Sequence, residues 1–361
     1  MTNQPNPDRD DVMSAVPVPS EERVTAKPSV PRPSSTAIHA GRPISANAVI
    51  ETRNLVKQYG RIEALKGVTL GVEKGEIFGL LGQNGAGKTT MVKILLGITK
   101  PSFGEASLLG EPVGTVPVRR RVGYLPEDHR FPDYHTGYSL LDFYGSLLGM
   151  PRRERKQRIP EMLELVGLKG RMHYKIRTYS KGMKQRLGVA QAILHDPEII
   201  FLDEPTDGVD PVGRREIRDM LHQLKEEGKT IFLNSHLLGE VELICDRVAI
   251  LQAGELIKEG DIGTLTRQRG AFVVGLAPGQ HLPHDELAKQ GYDISRAGDM
   301  WEIGLHDGQS IDPVVDLLRS RGLSVRHLVE KRQTLEEIFM ETVEAAEPGV
   351  DAPVRRRRPV T

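Results

Sequence analysis

Cysteine, long apolar runs and an excess of charge of either sign are all scarce in this 361-residue sequence. The single cysteine, Cys245, excludes an internal disulfide framework and a cysteine-rich metal site, and it suits a reducing compartment. Because no run of about 18 apolar residues occurs, the sequence predicts no membrane-spanning helix of its own. The 49 lysines and arginines balance 49 aspartates and glutamates, which argues against a broad electrostatic nucleic-acid binder.

The two ends of the sequence are also poor in apolar clusters. Residues 1–45 carry eight prolines among polar and charged residues. Such a stretch cannot bury enough surface to offset its ordering entropy, so we predict a disordered proline-rich tail. Asp8, Asp10 and Asp11 are followed by no apolar block, so we expect a cytoplasmic protein without a secretory signal. Residues 346–361 are predicted to be a basic disordered tail, whose four consecutive arginines are either solvated or in weak contact with anionic lipid headgroups.

Between the tails, residues 48–265 alternate between strand-like and helix-like segments, which is typical of a parallel α/β sheet. Short apolar runs bounded by glycine or charge predict buried strands at 77–81, 199–202, 230–233 and 248–251. The stretch 139–187 is helix-rich and polar instead, and it indicates an inserted helical subdomain that covers about 128–190.

A different rhythm begins after residue 270. Its segments run strand, helix, two strands, helix and strand, an order that matches a ferredoxin-like α+β unit. A last helix over 334–344 is expected to begin with a capping box, because Thr334 is followed three residues later by Glu337. We therefore predict a C-terminal α+β domain over 270–345.

The segment from Gly82 to Thr89 fits the phosphate-loop pattern G-x-x-x-x-G-K-[ST] in full. Glycines let the backbone wrap an anion closely, and the helix that follows aims its positive end at the same place. Lys88 is expected to balance β- and γ-phosphate charge, and the Thr89 hydroxyl to ligate Mg²⁺. The nucleotide-binding residues predicted here are Gly82, Gln83, Asn84, Gly85, Ala86, Gly87, Lys88, Thr89 and Thr90.

Two acidic residues follow the apolar run 199–202. Parallel α/β sheets place their ligands at the carboxyl ends of the strands, so Asp203 is expected to complete the magnesium site. Neighbouring residues of a strand point in different directions, so Glu204 can face the attacking water and serve as general base.

Together with these motifs, further segments between residues 50 and 265 resemble the ATP-binding subunit of ATP-binding cassette (ABC) transporters. Residues 179–186 read Tyr-Ser-Lys-Gly-Met-Lys-Gln-Arg and are similar to the family signature Leu-Ser-Gly-Gly-Gln. The resemblance implies that Ser180 and Gly182 contact phosphate. The segment after the two acids resembles the family's D-loop, with Asp210 in the acidic position at the nucleotide site.

Three more positions take their roles from the resemblance. His236 lies where the family's switch histidine touches the γ-phosphate. Tyr59 lies upstream of the phosphate loop, where the family stacks an aromatic ring on adenine, although a lone tyrosine could equally be packing. Glu127 occupies the Q-loop position, where many members have glutamine. Its carboxylate can still ligate Mg²⁺ or hold the water, and it adds a charge that an amide lacks.

The resemblance implies an α/β fold with a P-loop NTPase (RecA-like) core, an N-terminal antiparallel β subdomain and the inserted α-helical subdomain. The small C-terminal α+β ferredoxin-like domain follows. Since one chain carries one phosphate loop and one signature, and since the family pairs each loop with another cassette's signature, we expect a head-to-tail homodimer that binds ATP and Mg²⁺. The residues assigned to catalysis are Glu204, His236 and Lys88, and those assigned to the metal are Thr89, Asp203 and Glu127.

The resemblance also implies a separate transmembrane permease, with this chain peripheral to the cytoplasmic face of the inner (cell) membrane. The aromatic residues after Glu127 belong either to the core of the helical subdomain or to a groove where the permease docks. The Tyr-Leu-Pro-Glu Q-loop resembles exporter-type cassettes, and so does the C-terminal segment 334–339, which a short acidic helix follows. We therefore expect an ATPase that drives export.

Two other functions stay open. A soluble cassette ATPase acting on nucleic acid or ribosomes would usually carry two cassettes or a long coiled-coil insertion. Neither feature appears in this sequence. A non-enzymatic regulatory cassette would be expected to lack Glu204 or Lys88. The C-terminal unit either binds a small regulator or covers the flank of the dimer.

Overall fold

The computed structural model describes residues 44–306 and 309–346 (backbone only at 267–269 and 344–346), all within one compact unit. The predicted tails, 1–45 and 346–361, fall almost entirely outside the described residues, so they stay predictions. No helix in the described ranges has both the length and the apolar character that a membrane crossing needs.

The described elements alternate along most of the chain. The strands are β1 (Ala48–Tyr59), β2 (Ile62–Glu73), β3 (Ile77–Leu81), β4 (Phe103–Leu108), β5 (Glu111–Pro112), β6 (Val122–Leu125), β7 (Ile199–Asp203), β8 (Thr230–Asn234), β9 (Arg247–Gln252), β10 (Glu255–Asp261), β11 (Arg267–Leu276), β12 (Asp293–Ala297), β13 (Met300–Gly304) and β14 (Val325–Arg332). The α-helices are α1 (Lys88–Leu95), α2 (Val116–Arg119), α3 (Gly137–Leu147), α4 (Arg152–Leu165), α5 (Lys181–Ile193), α6 (Pro211–Glu226), α7 (Leu238–Ile244), α8 (Ile262–Leu265), α9 (His284–Lys289), α10 (Asp312–Ser320) and α11 (Leu335–Ala346).

A six-stranded sheet in the order β10-β9-β3-β8-β7-β6 forms the centre of the molecule. Its strands from β9 to β6 run parallel, and β10 pairs antiparallel with β9. Every residue of β3, β7 and β8 is buried, because the sheet is covered on both faces. In β7, Ile200 and Leu202 pack into one apolar cluster, whereas Ile199 and Phe201 pack into another.

The cluster that contains Phe201 lies between the central sheet and a four-stranded antiparallel sheet of order β2-β1-β4-β5. Leu55 of β1 and Leu65 of β2 are fully buried in it, together with Phe78 of β3. The predicted N-terminal antiparallel β subdomain and P-loop NTPase core are thus confirmed.

The opposite face of the central sheet carries the helical segment. Buried residues of α3, α4 and α5 share an apolar cluster with Ile200 and Leu202. Helix α3 begins with a capping box in which Thr136 Oγ1 accepts from Ser139 N (3.0 Å) and Ser139 Oγ accepts from Thr136 N (2.9 Å). These helices are the predicted inserted subdomain, and its boundaries stay a prediction.

The C-terminal unit has the predicted ferredoxin-like order. Its antiparallel sheet runs β12-β13-β11-β14, so the first strand lies between the third and the fourth. Val274 and Ile303 of the sheet pack against Leu287 of α9 and against Val314 and Leu318 of α10 in a separate small core.

Helix α11 begins with the predicted capping box: Glu337 N donates to Thr334 Oγ1 (3.2 Å), and Thr334 N donates to Glu337 Oε2 (2.9 Å). Its apolar face does not join the small core of the C-terminal unit. Leu335, Phe339 and Val343 pack instead into the cluster shared by the central sheet and the helical segment.

Candidate functional site

The phosphate loop connects β3 to α1 and requires glycine at two points. Gly82 (φ 155°) lies so close to Leu251 that a Cβ atom would be 2.3 Å from the Leu251 carbonyl oxygen. Gly87 (φ 108°) lies against Ala64, whose carbonyl oxygen would be 2.5 Å from a Cβ atom. Side chains at these positions would displace the loop, so the sequence pattern reflects a steric need as well as an affinity for phosphate.

Lys88 is the first residue of α1, and its side chain turns back over the loop. Its Nζ donates to the carbonyl oxygens of Gly82 (2.6 Å) and Gln83 (3.2 Å). Burial lowers the pKa of Lys88, and the negative charges of Glu204, Asp203 and Glu127 partly oppose that change. The ammonium group therefore lies where phosphate charge would meet it, within electrostatic reach of three carboxylates.

Asp203 ends β7 beside Asn234, which ends β8 in the adjacent register position. The Asn234 side-chain amide donates to Asp203 Oδ1 (2.5 Å). Burial raises the pKa of Asp203 to about 6; the nearby charges of Glu127 and Glu204 add to the rise, and the Asn234 hydrogen bond and Lys88 oppose it. The site thus holds more negative charge than its single lysine balances.

Glu204 is held by the strand ends around it. Its Oε2 accepts from Ser235 Oγ (3.1 Å), and its Oε1 accepts from the backbone N of His236 (2.9 Å) and lies 2.8 Å from His236 Nδ1. Its backbone N donates to the carbonyl oxygen of Asn234 (2.8 Å). Glu204 is buried, whereas the His236 side chain is largely exposed, so the pair lies where the buried strand ends meet solvent.

The donors around this pocket fit a magnesium ion. Asp203 and the nearby Glu127 would offer carboxylate oxygens, and Thr89 in the first turn of α1 would offer a hydroxyl, which are ligands of the kind that Mg²⁺ prefers. Among the described residues, no three histidine, cysteine, aspartate or glutamate side chains converge closely enough to hold a metal ion by themselves. A magnesium ion here would therefore take further ligands from phosphate and water, as is usual for Mg²⁺ in nucleotide sites.

The remaining nucleotide-site candidates lie on other parts of the surface. Ser180 caps α5, accepting from Met183 N (3.2 Å), and Asp210 caps α6, accepting from Gly213 N (2.7 Å). Gly182 lies in the first turn of α5. Tyr59, at the end of β1, is 47% exposed, with Lys57 Nζ 4.8 Å from the centre of its ring.

Three residues of the site were missed by sequence reasoning. Asn234 and Ser235 directly follow the apolar run of β8, as Asp203 follows that of β7, and this shared position was the available signal. Gln185, whose Nε2 donates to the Glu204 carbonyl oxygen (2.9 Å), had no such signal because it lies within a helix.

The sequence of this chain is similar to sequences of known proteins. A sequence-family profile described as ABC transporter matches residues 65–207. An uncharacterized ABC transporter ATP-binding protein of Synechocystis sp. is 43% identical over 307 residues, which cover 82% of this chain and 85% of the relative. The bacitracin transport ATP-binding protein BcrA of Bacillus licheniformis is 33% identical over 304 residues, covering 82% and 98%. The linearmycin resistance ATP-binding protein LnrL of Bacillus subtilis is 38% identical over 220 residues, covering 60% and 70%.

Solved structures resemble the same part of the molecule. The ATP-binding subunit of an ABC transporter superposes with a TM-score of 0.56 and 30% identity, covering 67% of this chain and 98% of that chain. An ATP-binding cassette solved as a dimer in a post-hydrolysis state with ADP and Pi superposes with a TM-score of 0.54 and 26% identity, covering 59% and 98%.

Proposed function

Because this chain belongs to the family of ABC transporter ATP-binding proteins, we propose that it is the ATP-hydrolysing subunit of an exporter. Two copies would stack head to tail and act on a separate membrane-spanning permease. The observation that carries this proposal is the Glu204 carboxylate, which Ser235 and His236 hold beside Asp203 and the phosphate-loop lysine.

The residues of the site suit hydrolysis of the γ-phosphate bond. Backbone N–H groups of the phosphate loop and Lys88 would bind the phosphates. Glu204 would accept the proton of the attacking water while the water oxygen bonds to the γ-phosphorus and the β–γ bridging oxygen leaves with ADP. As an imidazolium, which donates from both ring nitrogens, His236 would donate from Nδ1 to Glu204 and from Nε2 to the γ-phosphate.

A bound Mg²⁺ neutralises phosphate charge, and Thr89, Asp203 and Glu127 are the side chains that would hold it, directly or through water. The cation would also neutralise the charges of Glu127 and Glu204, which repel the Asp203 carboxylate and help to raise its pKa. Tyr59, exposed at the end of β1, is the candidate to stack on adenine.

The second cassette is expected to contribute the rest of each site. Ser180 and Gly182 begin α5, so their N–H groups and the positive end of the helix suit the γ-phosphate of ATP on another copy. Asp210 lies in the D-loop, between Glu204 and α6, where it would face that copy. The dimeric cassette with ADP and Pi supports this arrangement.

The helical segment offers a surface for the permease. Tyr134 (71% exposed), Phe143 and Leu147 are open to solvent, whereas Phe131 and Tyr144 pack partly against the core. Some of the aromatic residues are therefore exposed and available for docking, whereas others belong to the core of the helical segment. Relatives named for bacitracin transport and linearmycin resistance favour export, and they do not favour a soluble cassette that acts on nucleic acid. We accordingly place the chain at the cytoplasmic face of the membrane through its permease.

The proposal is tested with Glu204→Gln, and the matched control is Glu226→Gln at an exposed position at the end of α6. We expect Glu204→Gln to bind MgATP, to lower turnover about 10²- to 10⁴-fold and to accumulate a closed dimer that light scattering detects. Glu226→Gln should keep wild-type turnover. Normal turnover in Glu204→Gln would remove Glu204 from the base role. Recovery of the tagged chain from detergent-solubilised membranes without a polytopic companion would contradict the transport assignment.

A further inference from the structure

Gln185 is a buried amide (4% exposed) that lies on the helix of the signature segment and contacts the residue proposed as catalytic base. Its Nε2 donates to the Glu204 carbonyl oxygen over 2.9 Å, and the bond is buried. Helix α5 begins at Lys181 and is capped by Ser180, so Gln185 links the signature helix to Glu204 within one chain.

The backbone of Glu204 needs such support. Its φ of 51° lies in the left-handed region, which is unfavourable for a residue other than glycine unless the surroundings hold it there. On one side, Glu204 N donates to the Asn234 carbonyl oxygen (2.8 Å). On the other side, the Glu204 carbonyl oxygen accepts from Asp207 N (3.2 Å) as well as from Gln185. Because this conformation sets the direction of the side chain, it also sets where the carboxylate points.

A second contact joins the same two segments at the surface. Lys181 Nζ pairs with Asp207 Oδ2 at 2.7 Å, and the Lys181 side chain lies over Gly208. Both partners of the pair are at least half exposed, so solvent screens it and it contributes little. The buried Gln185 bond is therefore the contact between α5 and residues 204–208 that can hold geometry firmly.

We infer that Gln185 is a positioning residue for hydrolysis, which keeps Glu204 in its left-handed conformation and ties the catalytic carboxylate to the signature helix of the same chain. The inference rests on the proposed function, since it takes Glu204 as the base. The inference implies that movement of α5 and the position of Glu204 are coupled within one chain. Each chain connects the helix that completes another copy's site to the base of its own site.

The first test measures ATP hydrolysis by the full chain with Gln185→Met, which keeps side-chain length but removes the donor. We expect kcat to fall at least tenfold with KM for MgATP nearly unchanged, because about 1.4 kcal/mol of lost transition-state stabilisation is a factor of ten in rate. Gln191→Met, the same change farther along α5, is the matched control and should keep wild-type kcat. Wild-type kcat in Gln185→Met, or an equal loss in Gln191→Met, would overturn the inference.

The second test uses Gln185→Glu, which is isosteric but can donate to the Glu204 carbonyl only when its carboxyl group is protonated. The ratio of its kcat to the wild-type kcat should therefore rise as the pH is lowered from 8.5 to 6. Because an ionised carboxyl buried at this position also opposes folding, the folded fraction is measured by circular dichroism at each pH, and kcat is expressed per folded chain. A ratio that then stays the same at every pH would show that the donor is not needed. This result would overturn the inference even if Gln185→Met folded poorly.

A third test separates the two chains of the dimer. In mixed dimers of differently tagged chains, one chain carries Glu204→Gln, so that turnover comes from the Glu204 of the other chain. Adding Gln185→Met to the chain with intact Glu204 should remove most of that turnover, whereas adding it to the Glu204→Gln chain should not. The opposite pattern would assign Gln185 to the partner's nucleotide and overturn the inference.

Failure of this inference and failure of the proposed function give different results. If Glu204→Gln retains turnover, the proposed function fails. If Glu204→Gln is inactive while Gln185→Met is normal, only the positioning role of Gln185 fails.

Discussion

The central parallel sheet and the C-terminal antiparallel sheet differ in how deeply they bury polar side chains. At the ends of β7 and β8, Asp203, Glu204, Asn234 and Ser235 are all buried, because helices and a second sheet cover both faces of these strands. Strand β14 is described in full and has no fully buried residue. Its Lys331 pairs with Glu302 at 2.7 Å, with both side chains partly exposed. Among the described residues, carboxylates that act on one another and on a lysine meet at the buried strand ends of the doubly covered sheet.

The two sheets also differ in the free-energy cost of burying charged groups. Charges at the edge of the central sheet are desolvated, which raises the pKa of Asp203 and lowers that of Lys88. Such burial is unfavourable for the nucleotide-free protein and makes the pocket receptive to phosphate and a cation. Among the side chains described in the C-terminal sheet, no charged one is fully buried, so they carry no comparable desolvation cost.

The largest expected effect comes from buried charge in the central sheet. Arg247 lies beneath the ring of Phe78 and pairs with Glu76 (2.9 Å) and with Glu259. Arg247→Met should lower the free energy of unfolding by about 3–5 kcal/mol in urea titrations, because it leaves the largely buried Glu76 carboxylate without this cation. The control is Arg321→Met, which breaks the surface pair with Glu286 in the C-terminal unit and should cost under about 1 kcal/mol. Equal costs would refute the contrast between the two regions.

Core truncation in the C-terminal unit should leave the nucleotide site intact. Leu318→Ala removes a buried side chain of α10 and should destabilise the unit by about 2–5 kcal/mol. Trp301, the sole tryptophan, packs against the same core, so its fluorescence reports the transition in urea. ATP affinity should stay at the wild-type value, since the small core shares no residue with the other two clusters. A weakened affinity would show that the two regions are coupled.

The next effect is on binding. Lys88→Ala should weaken ATP affinity roughly 10- to 100-fold in an equilibrium titration, because a hydrogen bond to a charged group contributes about 1.5–3 kcal/mol. Lys93→Ala, an exposed position on the same helix, should bind ATP normally. Similar affinities for the two variants would exclude Lys88 from the phosphate contacts.

The smallest effect is a pH dependence at His195. Its Nε2 donates to the Val122 carbonyl oxygen (3.1 Å), and its buried Nδ1 has no hydrogen-bond partner among the described residues. Burial therefore lowers the pKa of His195 below its usual value, and the unfolded chain binds this proton more readily than the folded chain. The contribution of His195 to stability is present above pH 6.5 and is lost as the pH falls below it, by at most about 1.4 kcal/mol per pH unit.

The variant that isolates this effect is His195→Gln, whose amide can still donate to Val122 but does not titrate in this range. The free energy of unfolding of the wild type should fall more steeply than that of His195→Gln between pH 7 and pH 5. Parallel slopes would mean that His195 is protonated equally in both states.

Much of the fold could be predicted because its signals are local. The apolar runs of β3, β7, β8 and β9 are short, bounded and continuous, which is typical of buried parallel strands. The capping box of α11 needs only Thr334 and Glu337, three residues apart. The packing of α11 against the central cluster was not foreseen, since its apolar face fits either core equally well by sequence pattern.

The candidate site also contains one part that could be predicted from a single segment and one part that could not. The phosphate loop is contiguous, and its two constrained glycines and Lys88 can be identified along a single segment. The groups that hold Glu204 come from residues 185 and 234–236. The resemblance places His236 at the γ-phosphate, but the contacts of Gln185, Asn234 and Ser235 with Glu204 follow no local sequence pattern.

The sequence by itself determined where phosphate would bind, because a loop between a strand and a helix carries its own N–H groups, glycines and lysine. Only the tertiary structure decided how Glu204 is oriented and how strongly Asp203 is desolvated. The reason is that β7 pairs with β8 in the register that sets Asp203 beside Asn234, while α5 brings Gln185 to the Glu204 carbonyl. Contacts between segments so far apart in the chain exist only after the sheet has formed and both of its faces are covered.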